Sequence, residues 1–158
     1  MSINYTDTAA YPYFLATNTL QTITTSGVTV TFNTLVEGNN FSSGTFAAPV
    51  KGLYLFTATL QIGGTTGQSV QADGSGRWGF STSASTNYPY HVGDNFNFFA
   101  TNVAVSASGG TYYTKHNSAV ILLTQGQVVS VQTSGISVAT VLVAGGSWFS
   151  GHLITAIA

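Results

Sequence analysis

The sequence predicts an all-β domain, and three observations carry that expectation. No stretch of useful length places apolar residues at a helical period; alternation and short apolar runs dominate instead. Turn signals cut those runs at intervals: Ser26-Gly27, Glu37-Gly38-Asn39-Asn40, Gly63-Gly64, Asp73-Gly74, Gly93-Asp94, Gly109-Gly110, Gln125-Gly126 and Gly145-Gly146. The chain has 158 residues, 44% hydrophobic and 13% aromatic, which is enough for one buried core and excludes a disordered chain despite 18 glycines. Many short strands punctuated in this way form a sandwich or a barrel.

Taken in order, the expected strands are Phe14–Ala16, Gln21–Thr25, Val28–Thr34, Thr45–Ala48, Gly52–Ile62 and Gln68–Ala72. They continue with Arg77–Ser81, Asn95–Val105, Tyr112–Thr124, Val128–Thr133, Val138–Val143 and Ser147–Ile157. The clearest is Gly52-Leu53-Tyr54-Leu55-Phe56-Thr57-Ala58-Thr59-Leu60, which has no Pro, no charge and no internal Gly and reads as buried on both faces. Period-2 alternation sends Tyr54, Phe56 and Ala58 to one face and Leu53, Leu55, Thr57 and Thr59 to the other. The aromatic face suits a sandwich core. The Leu/Thr face is too apolar to leave in water and fits a subunit contact; the alternative is packing under a loop of the same chain.

Charge narrows the function classes. Charged residues are only 4% of the chain: Asp7, Glu37, Asp73 and Asp94 against Lys51, Arg77 and Lys115. A formal net charge of −1 excludes phosphate-driven binding of nucleic acid and docking on an anionic membrane. No apolar run is long enough to span a bilayer, so membrane insertion is not expected. There are no cysteines, so disulfides contribute nothing. Met1–Asp7 shows neither a basic nor an apolar signal region, so the sequons at Asn4 and Asn40 read as chance. Release by host lysis, as for a virion component, fits that start.

The aromatic spacing carries a family resemblance. Phe32, Asn39 or Asn40, Phe41, Phe46 and Pro49 lead into Gly52-Leu53-Tyr54-Leu55-Phe56, and the chain closes with Ser147-Trp148-Phe149-Ser150-Gly151-His152-Leu153-Ile154. Together with Phe14-Leu15-Ala16 and the run Ala119–Val131, this resembles the globular head of complement component 1q and the related tumour necrosis factor jelly rolls. Gln127 stands where that family usually has Asp, and no Gly-X-Y stalk precedes the head. The resemblance implies an all-β jelly-roll sandwich of two antiparallel sheets, assembled as a compact homotrimer that recognises rather than catalyses. It covers a single domain, residues 13–158, after a short N-terminal arm, residues 1–12. By the same resemblance Leu55, Thr57, His116, Phe149 and Leu153 would line the trimer axis. His116 there would stack with its copies or hold an ion or water, unless it is simply a hydrogen-bonded strand histidine.

Other motifs have plain readings. Gly74-Ser75-Gly76-Arg77-Trp78-Gly79 spells the dinucleotide fingerprint, but that motif needs a following helix, and here β-type residues follow a hairpin turn. Asp73 and Asp94 fall short of the oxygen-rich set calcium wants and read as turn caps. His91, His116 and His152 lack zinc spacing, and no Gly-x-Ser-x-Gly elbow supports a hydrolytic triad. No catalytic residue, metal site or cofactor is therefore expected. The loop Ser85–Asn97 differs: Tyr88, Tyr90, His91 and Asp94, to which Tyr112 and Tyr113 could add, are types that stack on sugar rings and bond hydroxyls. Tyr5, Tyr11 and Pro12 make the arm a candidate for docking on a capsid or tail protein. The expected function is a non-enzymatic structural or adhesion trimer on a bacteriophage virion surface: a capsid decoration, head fibre or tail-associated protein. The alternative is a soluble lectin-like or receptor-binding module, extracellular or on a cell surface, that meets a host glycan or receptor.

Overall fold

The computed structural model describes residues 11–23, 28–63, 77–82, 112–134, 140–142 and 146–158. Along the chain its strands are β1 (Tyr13–Thr17), β2 (Gln21–Ile23), β3 (Thr34–Gly38), β4 (Phe41–Ser42), β5 (Thr45–Ala47) and β6 (Gly52–Gly63). They continue as β7 (Arg77–Thr82), β8 (Tyr112–Leu123), β9 (Val128–Ser134), β10 (Thr140–Leu142) and β11 (Trp148–Ala156). All pairings are antiparallel and fall into two sheets. The larger runs β2-β10-β6-β11-β1-β3, with β8 on the other side of β6; the smaller runs β4-β5-β9-β7.

The two sheets face each other across an aromatic core. From the large sheet come Phe14, Ala16, Tyr54, Phe56, Ala58, Leu60, Ile121 and Phe149; from the small sheet come Phe46, Trp78, Phe80, Val129 and Val131, all essentially without solvent contact. The face expected for Tyr54, Phe56 and Ala58 is the one observed. The opposite face of β6 is half-buried at Leu53, Leu55 and Thr57, so the strand is covered fully on one side only. Phe14 organises the centre: it stacks on Phe41 at 4.4 Å and on Phe46 at 5.2 Å, and meets Phe149 edge-on at 4.8 Å. Each such pair adds about 0.5–1.5 kcal/mol beyond area burial. The Tyr54 hydroxyl donates to the Val50 carbonyl at 2.7 Å, which satisfies the polar tip of a buried ring.

Two expectations change. Val28–Thr34 is not one strand. Val28–Val30 runs beside β9, with Val30 N–H donating to Val131 O at 2.8 Å and Thr133 N–H to Val28 O at 2.9 Å. The chain then crosses to the large sheet, where β3 pairs with β1 around a bulge. Burial of Val30 and Phe32 gave that corner the alternation of a strand. The turn placed at Glu37–Asn40 begins later, because Glu37 and Gly38 still belong to β3; Gly38 (φ 107°) and Asn40 (φ 58°) make the reversal. The expected strands Gln68–Ala72 and Asn95–Val105 lie outside the described residues.

Candidate recognition surface

The outward face of the large sheet is built by the same alternation that builds the core. Strand pairing sets its residues in rows. One row is His116, Thr59, Trp148 and Thr17, crossing β8, β6, β11 and β1. The next is Ser118, Thr57, Ser150 and Leu15, followed by Val120, Leu55, His152 and Tyr13. Leu122 and Leu53 pair beyond these, with Ile154 at the bulge of β11. Val120, Leu122 and Ile154 are about half exposed, at 52%, 49% and 47%. Among the described residues these rows carry no Asp, Glu, Lys or Arg; Glu37 of β3 stands opposite Leu15 at their margin. The apolar residues of this face gather at one end, where Val120 and Leu55 adjoin Leu122, Leu53 and Ile154.

His116 is held in place. Its Nδ1 shares a hydrogen bond of 2.9 Å with Thr59 Oγ1, and its ring lies 5.8 Å from the Trp148 ring. Thr59 between them is buried, although it points outward. Beside Trp148, Leu15 and Thr17 line a shallow cavity of about 380 Å³.

Of the five residues expected at a trimer axis, Leu55, Thr57 and His116 share this face. Phe149 and Leu153 do not: both are buried in the core of the single chain. The outward members of that strand are Trp148, Ser150, His152 and Ile154. Val120 and Leu122 were missed. Their signal was present, since Ala119-Val120-Ile121-Leu122-Leu123 is apolar at every position, more than one core-facing row requires.

The remaining candidates divide. Tyr5, Tyr88, Tyr90, His91 and Asp94 lie outside the described residues. Tyr112 is described in its backbone as the first residue of β8. Pro12 is buried, its carbonyl accepting from Leu153 N–H at 3.0 Å, and the exposed Tyr11 donates its hydroxyl to the Leu153 carbonyl. Tyr11 and Pro12 are thus tied to the sandwich, and an arm free to dock would end before them. Among the described residues no three His, Cys, Asp or Glu side chains gather as a metal site, and no helix is long and apolar enough to cross a membrane.

This architecture is the jelly roll shared by complement-1q-type heads and tumour necrosis factors. The chain is similar in structure to the globular domain of zebrafish complement 1qA protein, with a TM-score of 0.51 and 18% identity over 93% of this chain and 99% of that one. It is also similar to Eiger TNF from S. frugiperda, with a TM-score of 0.56 and 8% identity over 94% of this chain and 95% of that one. At these identities the likeness is one of fold. No protein-family model matches the chain, and no curated protein matches it in sequence.

Proposed function

We propose that the chain is a non-enzymatic recognition head that works as a homotrimer, with the outward face of its large sheet as the subunit contact. The observation that carries this reading is the apolar set Val120, Leu122, Leu53, Leu55 and Ile154, contiguous across three paired strands and half open to water in the single chain. Association of three such faces removes that surface from water without needing charge, in a chain that is only 4% charged. The reading is further supported by the fold that the chain shares with a complement 1q globular domain and a TNF. Light scattering tests the assembly: the expected mass is three times the 16.4 kDa chain, and a mass near 16.4 kDa overturns it.

Within this reading we place the head on a virion surface, as a decoration, fibre or tail-associated protein, on the strength of its charge-poor, Thr/Ser/Gly-rich composition. Residues 1–10 are the docking arm of that proposal, since Tyr11 already belongs to the sandwich. Deleting residues 1–10 should leave the fold intact and abolish attachment to purified particles. Retained attachment counts against the arm, and absence of the protein from purified particles counts against virion display.

A further inference from the structure

We propose that a pocket on the flank of the sandwich, separate from the apolar sheet face, binds one pyranose ring of a neutral glycan. Here β3 and β4, edge strands of the two sheets, meet the corner segment that precedes β3. The cavity is about 350 Å³ and is lined chiefly by Thr31, Asn33, Leu35, Phe41, Ser42 and Ser43. That volume falls in the range of small-molecule sites.

The lining has the chemistry of a sugar site. Phe41 is half-buried; one ring face stacks on Phe14 at 4.4 Å and 13°, and Phe149 meets it edge-on at 5.9 Å. The ring is therefore fixed, and its uncovered part, with Leu35, gives the cavity an apolar wall. The C–H face of a pyranose carries partial positive charge and settles on the negative face of such a ring. Thr31, Ser42 and Ser43 also line the cavity, and their hydroxyls make no hydrogen bond among the described residues, so each has a donor and acceptors to offer. Asn33 is pinned: its Oδ1 accepts from Thr19 N–H at 3.0 Å and its Nδ2 donates to Thr19 Oγ1 at 2.8 Å. One amide N–H and one carbonyl lone pair remain for a ligand.

The backbone of the cradle is also set in advance. Gln21 clamps the corner segment, its Nε2 donating to Thr29 O at 3.2 Å and its Oε1 accepting from Thr31 N–H at 2.8 Å. Ser43 holds φ at 51° and Gly44 at 81°, where a Cβ on Gly44 would sit 2.9 Å from Val30 O; the turn is fitted against the segment it faces. A site ordered before binding loses less entropy on binding. Among the described residues no charged side chain lines the cavity, so sialic and uronic acids would find no counter-charge there, and the ligand class is neutral. The site lies within one chain and stands whether or not the chain trimerises.

The test is an NMR titration of the whole chain with methyl glycosides of glucose, galactose, mannose and N-acetylglucosamine, with methyl glucuronide as the charged comparison. The expected result is saturable shifts at residues 31–33, 35 and 41–43 with at least one neutral glycoside, and weaker ones with the glucuronide. Thr31→Val with Ser43→Gly removes two hydroxyls while keeping the side-chain shape of Thr31 and the left-handed backbone at residue 43, and should weaken binding roughly tenfold. No shifts with any neutral glycoside, shifts confined to another surface, or equal binding by the double variant each overturn the proposal. If the double variant fails to fold, the wild-type map and the glucuronide comparison decide it.

Discussion

Gly151→Ala tests how this core is packed. Gly151 sits in β11 directly between Phe14 on β1 and Phe56 on β6. A methyl group there would lie 2.5 Å from Phe56 Cδ1 and 2.7 Å from Phe14 Cε1. Carbon atoms rest at about 3.5–4.0 Å, so one or both rings must withdraw by about 1 Å. Neither has room. Phe14 is held by Phe41, Phe46 and Phe149, and Phe56 by Phe46 at 5.5 Å with Tyr54 and Phe80 each at 6.2 Å. Overpacking of this kind costs about 1–3 kcal/mol. The backbone at Gly151 is not left-handed, so Ala also gains about 0.4–1 kcal/mol from a less flexible unfolded chain. The net loss is about 1–2 kcal/mol, or a Tm lower by roughly 2–8 °C for a chain of this size. Urea unfolding followed by circular dichroism measures it. Phe56→Leu in the same chain should absorb part of the loss, with a coupling of at least about 0.5 kcal/mol. A single variant as stable as wild type, or strict additivity with Phe56→Leu, would refute the packing argument.

Three other substitutions probe separate features. Val120→Glu puts a charge on the outward face and should reduce the light-scattering mass to that of one chain while the circular dichroism spectrum is kept; a persisting trimer would exclude this face as the contact. Burial pushes the Tyr54 phenol above its ordinary value. Its contribution is therefore full below about pH 10 and is lost as pH climbs through the raised value, so Tyr54→Phe should flatten the alkaline fall in Tm relative to wild type. An unchanged alkaline limb would remove Tyr54 from that account. Among the described residues neither side-chain polar atom of the buried Asn18 has a hydrogen-bond partner, and Asn18→Leu should raise stability by about 1–2 kcal/mol in urea unfolding, where a loss would show that the amide is satisfied in solution.

What could be read from the sequence followed the strength of local pattern. The expected Gly52–Ile62 and Arg77–Ser81 match β6 and β7 within a residue or so, because β-branched and aromatic residues there are bounded by turn signals. β3 was hidden. Its Leu35, Val36 and Glu37 are all exposed, it pairs on one side only, and a bulge against Leu15/Ala16 breaks its period, so nothing local marks it as a strand. The flank pocket was hidden for the same reason. Asn33 becomes useful only once Thr19, 14 positions earlier, has pinned its amide, and Phe41 only once Phe14 has backed its ring.

The phase of β11 shows where such reading stops and what would have carried it further. Trp148-Phe149-Ser150-Gly151-His152-Leu153-Ile154 offers a large apolar residue to either face, so alternation alone cannot say which of Trp148 and Phe149 enters the core. A slip of one residue exchanges the whole set. The deciding residue is Gly151. Pairing with Phe14 and Phe56 puts it between two inward rings, where a side chain would collide, and once it faces inward Phe149 and Leu153 must do so too. Trp148, Ser150, His152 and Ile154 are then released to the outer face, beside Thr59, Thr57 and Leu55. A glycine that weakens an isolated strand thus fixes which side chains this strand shows on its outer face.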